Sequence, residues 1–277
     1  MISHKWLPLI IFLVLSVSHN PIAKERMLDS IPVNPCSVTN DVFEPGESIT
    51  YKVFYNWNFI WIAAGEVKFE VKDKGDQYHL SAVGRTFGSY DWIFKVRDYY
   101  DSYTKKSDLK PEMTIRKVLE GKYTQFDKTN YLHHQSKAIS IKGKTEETAN
   151  EEEIALADCT HDILSSIYMM RNIDFASMPT ESKVPMHIYI DREVYPLTIV
   201  YKGTDERKRV KGLGLCSTLF FEPELVVGNI FKKDKGMKIW VSNDQNRIPL
   251  MIESPISVGS VKAVLKKYKG LKYPAAF

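Results

Sequence analysis

The densest group of chemically capable side chains is Asp158-Cys159-Thr160-His161-Asp162. A cysteine, a histidine and two carboxylates in five positions are the residue types that ligate zinc or activate a thiol. Adjacent residues at a helix start point in divergent directions, so they do not converge on one ion. Helix capping, with Asp158 or Thr160 as the N-cap and Asp162 in the first turn, suits the spacing better. In His133-His134 the two rings face opposite sides of a predicted strand and cannot chelate together. Asp244 and Arg247 flank a turn, where such a pair forms either a polar clamp for a ligand or a turn-stabilising ion pair. Asp162 and Arg171 are a similar case. Asp98 and Asp101 are carboxylates that an envelope-polymer hydrolase would need brought to the right separation. The sequence has no GxSxG elbow, HExxH pair or glycine-rich phosphate loop. The chain therefore reads as non-catalytic, with no metal and no cofactor.

Three cysteines, Cys36, Cys159 and Cys216, suggest one disulfide and one free thiol in an oxidising compartment. Cys159 with Cys216 is the preferred pair, because Cys36 falls in an N-terminal lead.

Aromatic residues carry more information. Ile49, Tyr51, Val53, Tyr55, Trp57, Phe59 and Trp61 alternate with Thr50, Lys52, Asn56 and Asn58, a period of two that marks a strand with one apolar face. Tyr90, Trp92 and Phe94 crowd a connection near Gly88. In a tightly closed sheet such residues fill the core. In a sheet curved around a hollow, Tyr55, Trp57, Phe59, Trp61, Tyr90, Trp92 and Phe94 would line an apolar cavity.

The elements that must position these residues are mostly strands. The first long strand is expected to bend near Asn56–Asn58 and to turn at Ala63-Ala64-Gly65, returning through Val67, Phe69 and Val71. Short alternating runs then follow to the C-terminus, joined by polar turns such as Asp191-Arg192-Glu193, Lys202-Gly203-Thr204 and Asn243–Asn246. The fold class is mainly β: an antiparallel meander forming a strongly curved half-barrel or sandwich. One short helix, near 160–171, is expected to place Ile163, Ile167 and Met170 on one face and to bridge two β halves. Acidic residues between Lys144 and Glu153 read as a solvated loop.

An apolar run from Trp6 to Val17 follows Lys5, with Ala23 a candidate cleavage position: the layout of a secretory signal peptide over 1–23. It is shorter than the roughly 20 residues a membrane-spanning helix needs, and no later stretch is apolar enough to span. The expected organisation is a lead over 24–41 and a single β-rich domain over 42–277, located in the periplasm. With 44% hydrophobic and 26% charged residues the composition is that of an ordinary globular protein. The net charge of +4 is scattered in short clusters, unlike the stripe of a nucleic-acid binder.

Phe43-Glu44-Pro45-Gly46-Glu47, Ala64-Gly65-Glu66, Thr160 to Tyr168, Met237 to Asp244, Arg247-Ile248-Pro249-Leu250 and Val258-Gly259-Ser260-Val261 occur in this order. In that order they resemble an exported family of Gram-negative bacteria catalogued as domain of unknown function 3108, over roughly Val42 to Leu265. The resemblance implies a periplasmic, sheet-dominated domain and brings no catalytic residues with it. The expected architecture is similar to the curved half-barrels of periplasmic lipoprotein carriers such as LolA and LolB, an analogy of fold that does not fix function. The expected partner is an apolar small molecule or lipid bound non-catalytically, or alternatively another envelope protein bound at a sheet edge or face.

Overall fold

The structure, a computed structural model, describes residues 35–57, 60–225, 236–256 and 259–277. The expected signal peptide, most of the lead, and Phe59 lie outside the described residues, and of Trp57 the backbone alone is described.

The chain forms one sheet from two meanders. The first runs β1 (Ser48–Trp57), β2 (Ile60–Lys74), β3 (Gln77–Thr86), β4 (Arg97–Lys105), β5 (Pro111–Glu120), β6 (Tyr123–Leu132), β7 (Lys137–Gly143) and β8 (Asn150–Ala155). A two-residue strand, β9 (Thr160–His161), and the helix α1 (Ile163–Arg171) separate it from the second. That meander runs β10 (Lys183–Ile190), β11 (Glu193–Val210), β12 (Gly214–Leu225), β13 (Lys238–Ser242), β14 (Pro249–Pro255) and β15 (Ser260–Lys269). Antiparallel pairing of β1 with β15 joins the two. The spatial order is thus β8 through β1, then β15 down to β9.

The pattern-based strands are present, with corrections that have physical causes. Alternation continues through the first hairpin because its connection is short: Trp57 pairs with Ile60, and Asn56 with Trp61. The reversal therefore lies before Ile60, and Ala63-Ala64-Gly65 sits inside β2, where the register against Val53 and Phe54 shifts. Gly65 is required there, since a Cβ would lie 2.3 Å from the Arg85 carbonyl oxygen. Lys202-Gly203-Thr204 is likewise not a turn; β11 runs through it with a register shift at Gly203, the bend that a bulge produces. The acidic segment before the helix contributes β8, an exposed edge strand pairing with β7.

The sheet curls until its ends meet, but the closing seam is made by side chains. Asp191 and Arg192 sit at positive φ, 52° and 71°, between the paired Ile190 and Glu193. One Asp191 carboxylate oxygen accepts from Lys142 Nζ (2.9 Å), Gln125 Nε2 (3.0 Å) and Arg116 Nη1 (3.1 Å). The Arg192 guanidinium crosses the other way, to Ser140 Oγ (3.1 Å), Glu152 Oε2 (3.0 Å) and the Asn150 carbonyl. Behind these bonds Tyr131, Ala138, Leu156 and Tyr189 form a small apolar cluster.

The described segment before β1 is tied down. Phe43 packs edge-on against Tyr78 and Tyr168, with ring centroids 5.1 and 4.8 Å apart. Cys36 forms the disulfide, bonding to Cys159 across a Cα separation of 4.9 Å. The expected Cys159–Cys216 bridge is corrected accordingly. Cys216 is a buried free thiol in a separate cluster with Val210, Phe54 and Trp240, so it is packed away from Cys159.

The seam yields a prediction. Asp191→Ala leaves the nearly buried Arg116 without this carboxylate, and urea unfolding should show a loss on the order of 3 kcal/mol. Glu224→Ala, which removes an exposed partner of Lys183, should cost less than about 1 kcal/mol. Equal small effects would mean that the seam does not hold the sheet.

Candidate ligand cavity

Inside the curled sheet lies a cavity of about 370 Å³, within the size range of small-molecule sites. Its wall comes from consecutive neighbours in the sheet, β2, β1 and β15 through β10, with Phe69, Tyr51, Ala263, Ile252, Phe221 and Ile188 among the residues facing it. α1 lies across it. The Asp162 carboxylate caps the helix, accepting from Leu164 N (2.7 Å) and Ser165 N (3.2 Å), while Ser165 Oγ accepts from Asp162 N (3.0 Å). Asp162, rather than Asp158 or Thr160, is therefore the N-cap. Leu164, Tyr168 and Met169 are buried against the sheet and the N-terminal lead. The Ile163, Ile167 and Met170 stripe is only half-buried and lines the cavity.

One end of the cavity is bounded by two arginines. Arg171 is buried and doubly bonded to the buried Glu47, Nη1 to Oε1 at 2.6 Å and Nη2 to Oε2 at 2.7 Å. Its Nε donates to the Asn246 carbonyl (3.1 Å). Burial disfavours its charge, but the Glu47 carboxylate more than offsets this and holds Arg171 above its ordinary pKa. Arg247 donates to the Arg171 carbonyl (3.3 Å) and to Asp174 (3.0 Å). At the opposite end, Pro223, Met237 and Ile256 line the cavity while remaining half-exposed.

The aromatic residues expected to line a cavity do not converge on this one. Tyr55 shares the inward face with Val261 but is not part of the lining. Trp61, displaced to the other face by the position of the hairpin, lies under Lys262, whose Nζ is 4.3 Å from the ring centroid. Tyr90, Trp92 and Phe94 belong to the connection between β3 and β4 and do not reach the lining. Trp92 is 82% exposed. The lining is instead largely aliphatic, with Tyr51, Phe69, Tyr168, Phe175 and Phe221 as its aromatic members, and is spread over eight strands and the helix, a pattern that no single stretch of sequence displays.

The expected Asp244–Arg247 clamp is also redistributed. Asp244 organises the β13–β14 turn, accepting from Ser242 Oγ (2.7 Å), Asn246 N (3.0 Å) and Arg247 N (3.1 Å). Of the pair, Arg247 alone lines the cavity. Asp98 and Asp101 point to opposite sides of β4, the latter bonding to His79 (2.6 Å), so they cannot flank one bond. His161 is buried and held neutral, its pKa pushed down to about 3 mainly by burial, with His133 and Lys110 adding to the effect. Among the described residues, no group of three or more metal-ligating side chains is brought together.

A polar feature without a sequence signal lies away from the cavity. The inner face of β4 to β6 buries Asp98, Ser102, Thr114, Arg116, Asp127 and Thr129. Asp98, near Glu120 on the neighbouring strand, accepts from Leu119 N (3.2 Å). Burial raises both acids, Asp98 to about 6 and Glu120 to about 8, with the charge on Asp98 opposing ionisation of Glu120.

A family model described as a protein of unknown function, DUF3108, matches residues 50–266. No curated protein matches the chain. The crystal structure of a β-barrel-like protein of domain of unknown function DUF1849 from Brucella abortus is similar, with a TM-score of 0.57 at 10% identity. The similarity covers 83% of this chain and 99% of that one, and at this identity it speaks for the fold alone.

The carboxyl pair makes stability depend on pH. Both groups hold a proton more tightly in the folded state than in the unfolded chain, where carboxyls titrate near pH 4. The stabilisation is complete below that range and is lost as pH rises towards about 8. Buried, neutral His161 acts in the opposite sense below about pH 7, so the readout is the comparison with Glu120→Gln: between pH 5 and pH 8.5 that variant should lose on the order of 1–2 kcal/mol less stability to urea than the unaltered chain. Parallel pH profiles for the two proteins would contradict the assignment.

Proposed function

We propose that this chain, which belongs to the DUF3108 family of proteins of unknown function, binds an apolar ligand such as a lipid or acyl chain in its cavity, without catalysis. The observation that carries this reading is the hollow itself. Protein interiors ordinarily close to crystal-like density, and an unfilled apolar volume forfeits packing energy. A volume of about 370 Å³, faced by half-buried Ile163, Ile167 and Met170 from the helix, fits an occupant that completes the core. Among the described residues the lining contains no aspartate, glutamate, lysine or histidine. The half-exposed Pro223, Met237 and Ile256 suit an entrance.

The proposed location is the periplasm. The apolar run from Trp6 to Val17 supports export, and the Cys36–Cys159 disulfide suits an oxidising compartment. Among the described residues no helix is long and apolar enough to cross a membrane.

A second reading, an envelope protein as partner, is favoured by one observation. Trp92, Ile93 and Ile60 are 82%, 62% and 64% exposed, at the same end of the sheet as the half-exposed cavity residues. Crosslinking in cells from this end should then recover one stoichiometric partner, and its loss in Trp92→Ala would tie that partner to the surface.

Ligand binding is tested with the neutral fluorophore N-phenyl-1-naphthylamine. Ala263→Trp and Ile252→Trp place an indole in the hollow and should weaken binding by about ten-fold or more, by displacing buried contact area, in protein whose far-ultraviolet spectrum stays native. Trp92→Ala should bind as the unaltered chain does. Undiminished binding in both filled variants would sink the proposal.

A further inference from the structure

The cavity is apolar but not electrically neutral. Among the described residues its two charged lining groups, Arg171 and Arg247, are both guanidinium groups, and they bound the same end. Arg171 is neutralised where it stands: the Glu47 carboxylate faces it with two parallel bonds, and both groups are buried. Arg247 has no such partner among the described residues. Its carboxylate contact is a single bond to Asp174, whose side chain is 59% exposed, while that of Arg247 is 21% exposed. A guanidinium carries five N–H donors in a fixed fork, and the bonds to Asp174 and to the Arg171 carbonyl occupy two. The serines of the lining, Ser166 and Ser254, donate to nearby backbone carbonyls, of Ile163 (2.8 Å) and Pro255 (3.3 Å).

The backbone at Arg247 reinforces the point. Its φ is +46°, a left-handed conformation that glycine or asparagine occupies more cheaply. The Asp244 carboxylate holds this turn, accepting from both Asn246 N and Arg247 N. Capping the end of α1 accounts for one of the Arg247 bonds, and it would not require the guanidinium to line an apolar hollow.

Resting on the reading of the hollow as a ligand site, we propose that its occupant is a single-chain amphiphile with an anionic head. The carboxylate or phosphate of that head pairs with Arg247, and the chain extends towards Pro223, Met237 and Ile256. A head at this end stays partly solvated, which avoids the cost of burying a lone anion. The planar fork suits bidentate pairing with either head group.

The test is displacement of N-phenyl-1-naphthylamine from the full mature protein by four sixteen-carbon competitors: palmitate, hexadecyl phosphate, methyl palmitate and hexadecylamine. At least one of the anions should displace the fluorophore at a concentration about ten-fold or more below that of methyl palmitate, and the ranking of the two anions identifies the head. Hexadecylamine should be weaker than both. Arg247→Gln should bring the preferred anion level with methyl palmitate, shifting the anion about ten-fold or more further than it shifts the ester. Arg247→Lys, which keeps the charge on a smaller head, should retain part of the preference and serves where the glutamine variant melts early. Equal displacement by acid and ester, or an anion preference that survives Arg247→Gln in folded protein, overturns the proposal while leaving the apolar cavity reading intact. If the fluorophore does not bind at all, the cavity reading fails first.

Discussion

A long antiparallel sheet has two edges, and what becomes of them governs everything it encloses. Unpaired edge strands invite pairing with other chains, and full barrel closure would remove them. Here the described strands curl into a barrel-like shape whose ends are joined by Asp191 and Arg192 rather than by a backbone ladder. The closure depends on a tight turn that presents one carboxylate and one guanidinium in opposite directions. Without it the β5–β8 region would be held to β10 and β11 mainly by the small cluster of Tyr131, Ala138, Leu156 and Tyr189.

That closure divides the interior. Near the seam it is polar, with Arg116, Asp127, Thr114 and Thr129 buried among tyrosines. Beneath the segment that precedes β1 it is filled by Phe43, Tyr168, Leu164 and Met169. The remainder, facing β10 to β15, is left hollow for a simple geometric reason. A nine-residue helix is about 14 Å long, whereas β11 alone has eighteen residues. Glu47 and Arg171 fix the helix end in place, since a buried, doubly bonded ion pair is costly to separate. The helix can therefore neither extend into the hollow nor be displaced easily from its position.

Much of this architecture is legible in the sequence because alternation reports strands directly. The run from Ile49, the turn at Asp191-Arg192-Glu193 and the stripe of Ile163, Ile167 and Met170 are all visible as pattern. Three features are not, each for a physical reason. A short hairpin preserves alternation in the sequence while reversing the face, so Trp61 reads as sharing a side with Tyr55 when it does not. The inner face of β4 to β6 is built from polar residues that satisfy one another, and polarity there masquerades as exposure. The cavity lining is contributed two or three residues at a time by many strands, so no single stretch marks Ile252, Ala263 and Ile239 as one surface. Arg247 is legible in the sequence as a polar residue beside a turn, and it lines the cavity; Asp244 does not, because its carboxylate is taken up by the backbone N–H groups of Asn246 and Arg247.

The central claim is that the hollow is occupied in the cell. The most direct measurement is mass spectrometry of an organic extract of the protein purified from its native compartment without detergent, set against a control protein from the same preparation. The account predicts a near-stoichiometric lipid or acyl compound, absent from the control and strongly depleted in Ala263→Trp. An empty extract from well-folded protein would contradict it.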